Sequence, residues 1–281
     1  MYSLEKPIIS YAEVLDACIS GVTDPIAKLE LSKAKLALLN LAADYDRQGN
    51  ASALYALNKT EHIYSDEFSE SLKKLYSGQF RRLNALARDF YNKLVNSVPH
   101  KRCPMCGVGT VTTLDHYLPI SKFSHFSVLP LNLLPACKDC NTNKLSRIPV
   151  ASGEQTLHCY FDNFEGGRWL HAVLNELEPP VISYYVAAPI TLGPFAQERL
   201  SVHLQALKLH VLFSSNASNE LSVLFRRMKG LNSIGGSDAV RAYLIEESRL
   251  QCSIRVNSWQ TAMYFALAES EWFITRCSSS S

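Results

Sequence analysis

Residues 103–144, CPMCGVGTVTTLDHYLPISKFSHFSVLPLNLLPACKDCNTNK, constrain the fold more than any other stretch of the chain. They hold two CxxC pairs, Cys103/Cys106 and Cys137/Cys140, separated by thirty residues. Thiolates are soft ligands, and four of them suit tetrahedral Zn²⁺. A single CxxC is a weak signal, whereas two in one short block point to a metal staple rather than to four reduced core cysteines. An ion with four sulfur ligands keeps no open position, so it cannot activate water and its work is structural. A block with few large apolar residues gains from such an ion the folding energy that burial cannot supply.

The other four cysteines, Cys18, Cys159, Cys252 and Cys277, share no spacing and read as small buried hydrophobes. No export signal opens the chain, and no stretch reaches the roughly 18 apolar residues needed to span a bilayer. The expected compartment is the cytoplasm, where disulfides are rare. A net charge of +2 excludes a uniformly basic nucleic-acid coat but leaves room for a local basic groove.

Periodicity predicts an α+β fold that is mainly α: a helical region over 1–99, a central block over 100–150, and a mixed, then helical region over 151–281. Asp24 and Pro25 mark one helix start, with an end near Gly49, and Ser65 with Asp66 and Glu67 mark another. Gly78 is a candidate break or bend in the second helix. PPVISYYVAAP reads as a strand between prolines, and helical patterning returns from Phe195 to Cys277. The SSSS tail reads as disordered.

Within the central block, TVTTLDHYLP alternates as a strand, FSVLPLNLLPAC is extended, and CKDCNTNKLSR has helical character. Together they predict a small ββα unit pinned by cysteines at both ends. Asp115 and His116 close its first strand, Asn132 precedes the helix, and Asn141 falls in the helix's first turn, with Lys144 one turn on. A carboxylate and an amide oxygen suit a hard cation such as Mg²⁺, and a histidine can take a proton from water. Neighbouring strand residues point to opposite faces, so Asp115 and His116 share a site only if the strand ends or bulges there.

As a joined set, LDHYLPIS, LNLLPAC and CKDCNTNK resemble the HNH, or ββα-metal (His-Me finger), nucleases, in the variant whose last motif residue is asparagine. The resemblance spans about fifty residues of this chain. It implies His116 as general base, Asp115 and Asn141 as ligands of a catalytic Mg²⁺ or Mn²⁺, and Asn132 as the residue that orients the His116 loop. It implies Lys144 as a phosphate contact, and Arg147, just after the helix, reads either as a second contact or as a helix-end cation. The expected reaction is phosphodiester hydrolysis in DNA, with RNA not excluded. One site cuts one strand, so a double-strand break needs a dimer or two encounters. Taken singly, His62, His100, His158, His171, His203 and His210 read as packing or surface residues; His125, nearest to the site, reads as a loop histidine with substrate contact as its alternative, and Arg81-Arg82 and Arg226-Arg227 read as solvated helix faces with a nucleic-acid role as theirs.

LHCYFDNFEGGRWLHAVL is similar to a stretch that follows the HNH block in bacterial proteins of this type. Such proteins resemble effectors of Septu-type anti-phage systems, where a nuclease works beside an ATPase; that implies a partner protein. The apolar faces of FAQERLSVHLQALKLHVLF and NSWQTAMYFALAESEWFI are candidate docking surfaces, with burial in the chain's own core the competing fate. The rival function is a zinc-ribbon module that binds nucleic acid or protein without catalysis.

Overall fold

A computed structural model describes residues 1–144 and 148–278; Arg147 and the end of the serine tail lie outside the described residues. The fold is α+β and mainly α, with two small two-stranded antiparallel sheets. It divides into two compact units, residues 2–163 and residue 164 onward.

The first unit opens with α1 (Tyr11–Ser20) and α2 (Pro25–Asn50). The Asp24 carboxylate accepts from the Ile26 and Ala27 N–H groups, and Pro25 takes the first position, where no N–H is needed. Ser65 caps α3 (Asp66–Lys74) by accepting from Phe68 N–H. The helix then widens into a π-helical turn, Leu75–Phe80. Gly78 sits inside that turn, and the chain leaves the helix only beyond it, with Asn84 at φ 64°, before α4 (Arg88–Asn96) begins. Next come β1 (Thr113–His116), β2 (Leu133–Ala136) and α5 (Lys138–Lys144), the expected ββα order. The strands pair antiparallel with His116 opposite Leu133.

The central block is not a separate insert. Leu15, Leu38, Leu72, Phe80 and Leu94 from the helices form one buried cluster with Leu114, Val128 and Leu133 from the block. A second cluster joins Tyr45 and Leu54 to Tyr117, Leu118, Phe126 and Tyr160. Each large side chain buried this way stabilises the unit by about 1.5–3 kcal/mol, which a fifty-residue block cannot collect alone. The regions 1–99 and 100–150 therefore share one core, and the contact boundary falls at residue 163.

Burial of His125 helps to make this core sensitive to acid. His125 is 1% exposed; its Nδ1 lies 2.8 Å from Thr60 Oγ1, and its ring packs 4.0 Å from that of Phe126. Burial pulls its pKa down to about 4. Between that value and the unfolded value near 6.5 the unfolded chain binds the extra proton, so stability falls as pH drops through this window. Wild type is expected to lose up to about 3 kcal/mol there relative to His125→Gln, read by urea unfolding at successive pH values.

In the second unit β3 (Leu170–Asn175) and β4 (Val181–Val186) form a hairpin-ordered sheet packed on α7 (Leu209–Ile254) and α8 (Trp259–Glu269). α6 (Ala196–Ala206) precedes α7, and α9 (Glu271–Ser278) is the last described element. α7 is interrupted at Gly236, whose φ of 68° and ψ of −171° leave helical geometry. Asn257 stitches the aromatic segment in place: its Oδ1 accepts from Trp169 and Leu170 N–H, and its Nδ2 donates to the Gly167 carbonyl. Leu200, Leu204, Phe213, Met263, Leu267 and Phe273 are buried, so the apolar faces considered as docking surfaces largely form this unit's core. Cys18, Cys159 and Cys277 are buried as expected of small hydrophobes, and Cys252 is half-buried.

Candidate functional site

The four paired cysteines converge. Cys103, Cys106, Cys137 and Cys140 are buried, and their Sγ atoms all lie within 4.8 Å of one another. Cys106 Sγ and Cys137 Sγ are 3.9 Å apart. Sulfurs held at about 2.3 Å from a common tetrahedral centre lie at about this spacing. Val108 and Gly109 N–H point at Cys106 Sγ (3.4 and 3.3 Å), and Cys140 N–H points at Cys137 Sγ (3.5 Å), which favours thiolate charge. Gly107 turns the knuckle at φ 73°, and a Cβ at Gly109 would stand 2.7 Å from Cys137 Sγ. Hydrogen bonding among the four sulfurs drives Cys106 and Cys137 down in pKa and Cys103 and Cys140 up.

β1 runs from this cluster to Asp115 and His116, in register and without a bulge, and it ends at His116. His116 Nε2 lies 2.8 Å from the Ser127 carbonyl. A carbonyl only accepts, so the proton sits on Nε2 and Nδ1 carries the lone pair. The Tyr76 ring, presented by the π-helical turn, meets the imidazole edge-on at 4.4 Å between centroids. Burial pulls the His116 pKa down to about 4, with the Ser127 bond opposing. The ring is therefore a neutral base at physiological pH.

Asp115 faces another neighbour. Its Oδ2 lies 2.9 Å from Lys144 Nζ, which also donates to the His116 and Tyr117 carbonyls at 2.6 and 2.8 Å. Both side chains are nearly excluded from solvent; burial raises the Asp115 pKa and Lys144 opposes the rise. This corrects the reading of Lys144 as a phosphate contact. Its ammonium has three oxygen neighbours inside the protein, and it clips the end of β1 to α5. Asn141 is half-buried in α5, and among the described residues no hydrogen bond holds its side chain. Arg147 lies outside the described residues.

Asn132 braces the loop that follows His116 with both ends of its amide. Oδ1 accepts from Leu118 N–H at 2.8 Å and from Tyr45 Oη–H at 3.0 Å. Nδ2 donates to the Leu118 and Phe126 carbonyls at 3.1 and 3.2 Å. Tyr45 continues to His158, whose Nε2 lies 3.4 Å away, so the network reaches the HCYFD segment. Asn132→Ala should cost about 2–4 kcal/mol, because the buried Leu118 N–H and its carbonyl lose their partners. Tyr45→Phe should cost only about 1 kcal/mol. Urea unfolding of the two variants checks both values; equal costs would contradict the network.

Tyr45, Tyr76, Ser127 and His158 are the site's neighbours that sequence reasoning missed. Tyr45 and Tyr76 look like any aromatic on a helical stripe, and Ser127 acts through a carbonyl that every residue possesses. His158 stands two residues before the aromatic of YFD, and only that local pattern hinted at it.

Fold and site together define a mainly helical α+β protein whose first unit builds a cysteine-braced ββα around a buried Asp–Lys pair and a neutral histidine. The chain is similar to protein ea31 of Escherichia phage lambda, with 27% identity over 294 residues that cover 97% of this chain and 99% of that protein. It matches no family model and no solved structure.

Proposed function

We propose that the chain is a metal-dependent HNH-type endonuclease that hydrolyses phosphodiester bonds in DNA and is braced by a structural Zn²⁺ on Cys103, Cys106, Cys137 and Cys140. One observation carries the reading: at the end of a cysteine-braced ββα strand, His116 is held through Nε2 by the Ser127 carbonyl, with Nδ1 left to accept a proton. The zinc assignment rests on four buried sulfurs within 4.8 Å of one another, with N–H groups aimed at Cys106 and Cys137.

In the reaction, His116 Nδ1 takes a proton from a water that attacks phosphorus in line with the scissile bond. The P–O3′ bond breaks, the leaving oxygen takes up a proton, and the ends are a 5′-phosphate and a 3′-hydroxyl. Asn132 keeps the loop after His116 in register, and Lys144 holds the strand end through two carbonyls. The resemblance assigns Asp115 and Asn141 to Mg²⁺ or Mn²⁺, which would supply positive charge to the phosphoryl and leaving oxygens; Asp115 Oδ2 would have to exchange its Lys144 partner for the ion. A partner ATPase and an anti-phage role rest on the Septu-type resemblance of the HCYFD segment.

A binding module without catalysis is the second reading, and one observation favours it: Asp115 Oδ2 is already taken by Lys144. Incubation of supercoiled plasmid with the full chain and Mg²⁺ or Mn²⁺ separates the two. The nuclease reading expects nicked circles that need the divalent ion, whereas a module retards the plasmid and never nicks it.

A further inference from the structure

The net charge of +2 is unevenly distributed. Residues 75–102, LYSGQFRRLNALARDFYNKLVNSVPHKR, carry Arg81, Arg82, Arg88, Lys93, Lys101 and Arg102 against a single carboxylate, Asp89. The rest of the chain therefore has more acidic than basic residues. Of the segment's cations, Arg81 and Arg82 stand side by side and exposed, and paired cations in a near-neutral chain suit contact with phosphates.

The segment runs beside the His116 neighbourhood. Its π-helical turn places Tyr76 on the His116 ring, and Arg81 N–H closes that turn on the Tyr76 carbonyl at 2.8 Å. π-Helical turns are rare and recur at functional sites. Arg88 folds back, donating to the Arg81 carbonyl while its guanidinium lies 4.3 Å from the Tyr91 ring, and this shapes the bend between them. Arg81 and Arg82 are exposed, and neither has an ion-pair partner among the described residues. Beside them Leu83 and Leu86 are 70% and 74% exposed, in a unit that buries most of its leucines.

We propose that Arg81 and Arg82, with Leu83 and Leu86, form a nucleic-acid contact surface: the guanidiniums take phosphates of duplex DNA, and the leucines lie against sugar and base faces. Arginines beside apolar side chains are a recurring way of holding a deformed duplex. The purpose of the surface rests on the nuclease reading, but its test does not.

The test is fluorescence anisotropy of a short labelled duplex titrated with zinc-loaded full chain in Ca²⁺ buffer, at salt between about 50 and 200 mM. Arg81→Ala/Arg82→Ala should weaken binding at least about tenfold and flatten the slope of log affinity against log salt by about 2, since each lost phosphate contact removes about 0.9. Arg226→Ala/Arg227→Ala, an equally exposed pair in the second unit, should change neither. Leu83→Ser/Leu86→Ser should weaken binding at an unchanged salt slope. Equal loss from both arginine pairs, or none from the first, overturns the surface. Unchanged affinity in the leucine variant overturns the leucines' part. Single-stranded RNA of the same sequence, bound more tightly through the same arginines, overturns the duplex assignment. Binding that needs Arg81 and Arg82 in a chain that never nicks would sink the nuclease reading and keep the surface. Nicking that ignores both pairs does the reverse.

Discussion

Cys137→Ser should unfold residues 2–163 rather than merely loosen the knuckle. Cys137 Sγ lies 3.9 Å from Cys106 Sγ and accepts from the Cys140 N–H, and Gly109 is packed so closely that a Cβ there would strike it. A serine hydroxyl is a hard, weakly acidic donor and a poor replacement for thiolate on zinc. Zinc binding to such sets is worth about 10–16 kcal/mol, as much as the whole stability of an ordinary domain, about 5–15 kcal/mol. The loss spreads because Leu114 and Leu133, on strands that run into the cluster, sit in the same core as Leu15 and Leu72. Elemental analysis should find one zinc per wild-type chain and none in the variant, with loss of cooperative unfolding by circular dichroism. A zinc-free wild type that folds normally would remove the staple.

His116→Ala should lower plasmid nicking by about 10²- to 10⁴-fold, the usual worth of a general base. Zinc content and the unfolding midpoint should change little, because the ring lies outside the four-sulfur cluster and is only partly buried. Among the described residues its side chain has one hydrogen bond, to the Ser127 carbonyl, and one ring contact, with Tyr76. Asp115→Ala should behave differently. It strands the buried Lys144 ammonium, so stability should fall by about 3–5 kcal/mol along with any activity. Wild-type nicking by His116→Ala would refute the base assignment.

Much of this architecture was legible because it is local. Asp24-Pro25 and Ser65 announce helix starts through capping that needs only a few neighbouring residues, and both act as caps. The cysteine spacing, the alternation of TVTTLDH and the helical CKDCNTNK foretold the ββα order. Lys144 was misread because helical spacing places it one turn from Asn141 but says nothing of depth; only the packing of α5 on β1 shows its ammonium turned inward onto Asp115. The single core shared by 1–99 and the block was equally hidden. Leu72 and Leu114 have ordinary periodicity in their own segments, and nothing local says that they meet. Gly78 marked a break or bend, and the helix is distorted there, but nothing local says that the distortion is a π-helical turn.

The most direct test of the proposed chemistry is the nature of the cut ends. Plasmid nicked by the full chain in Mg²⁺, freed of protein and treated with DNA ligase, should be resealed to closed circles, because departure of the 3′-oxygen leaves a 5′-phosphate beside a 3′-hydroxyl. Nicks that ligase cannot seal until a phosphatase has removed a 3′-phosphate, or plasmid that is bound and never nicked, would contradict hydrolysis at His116.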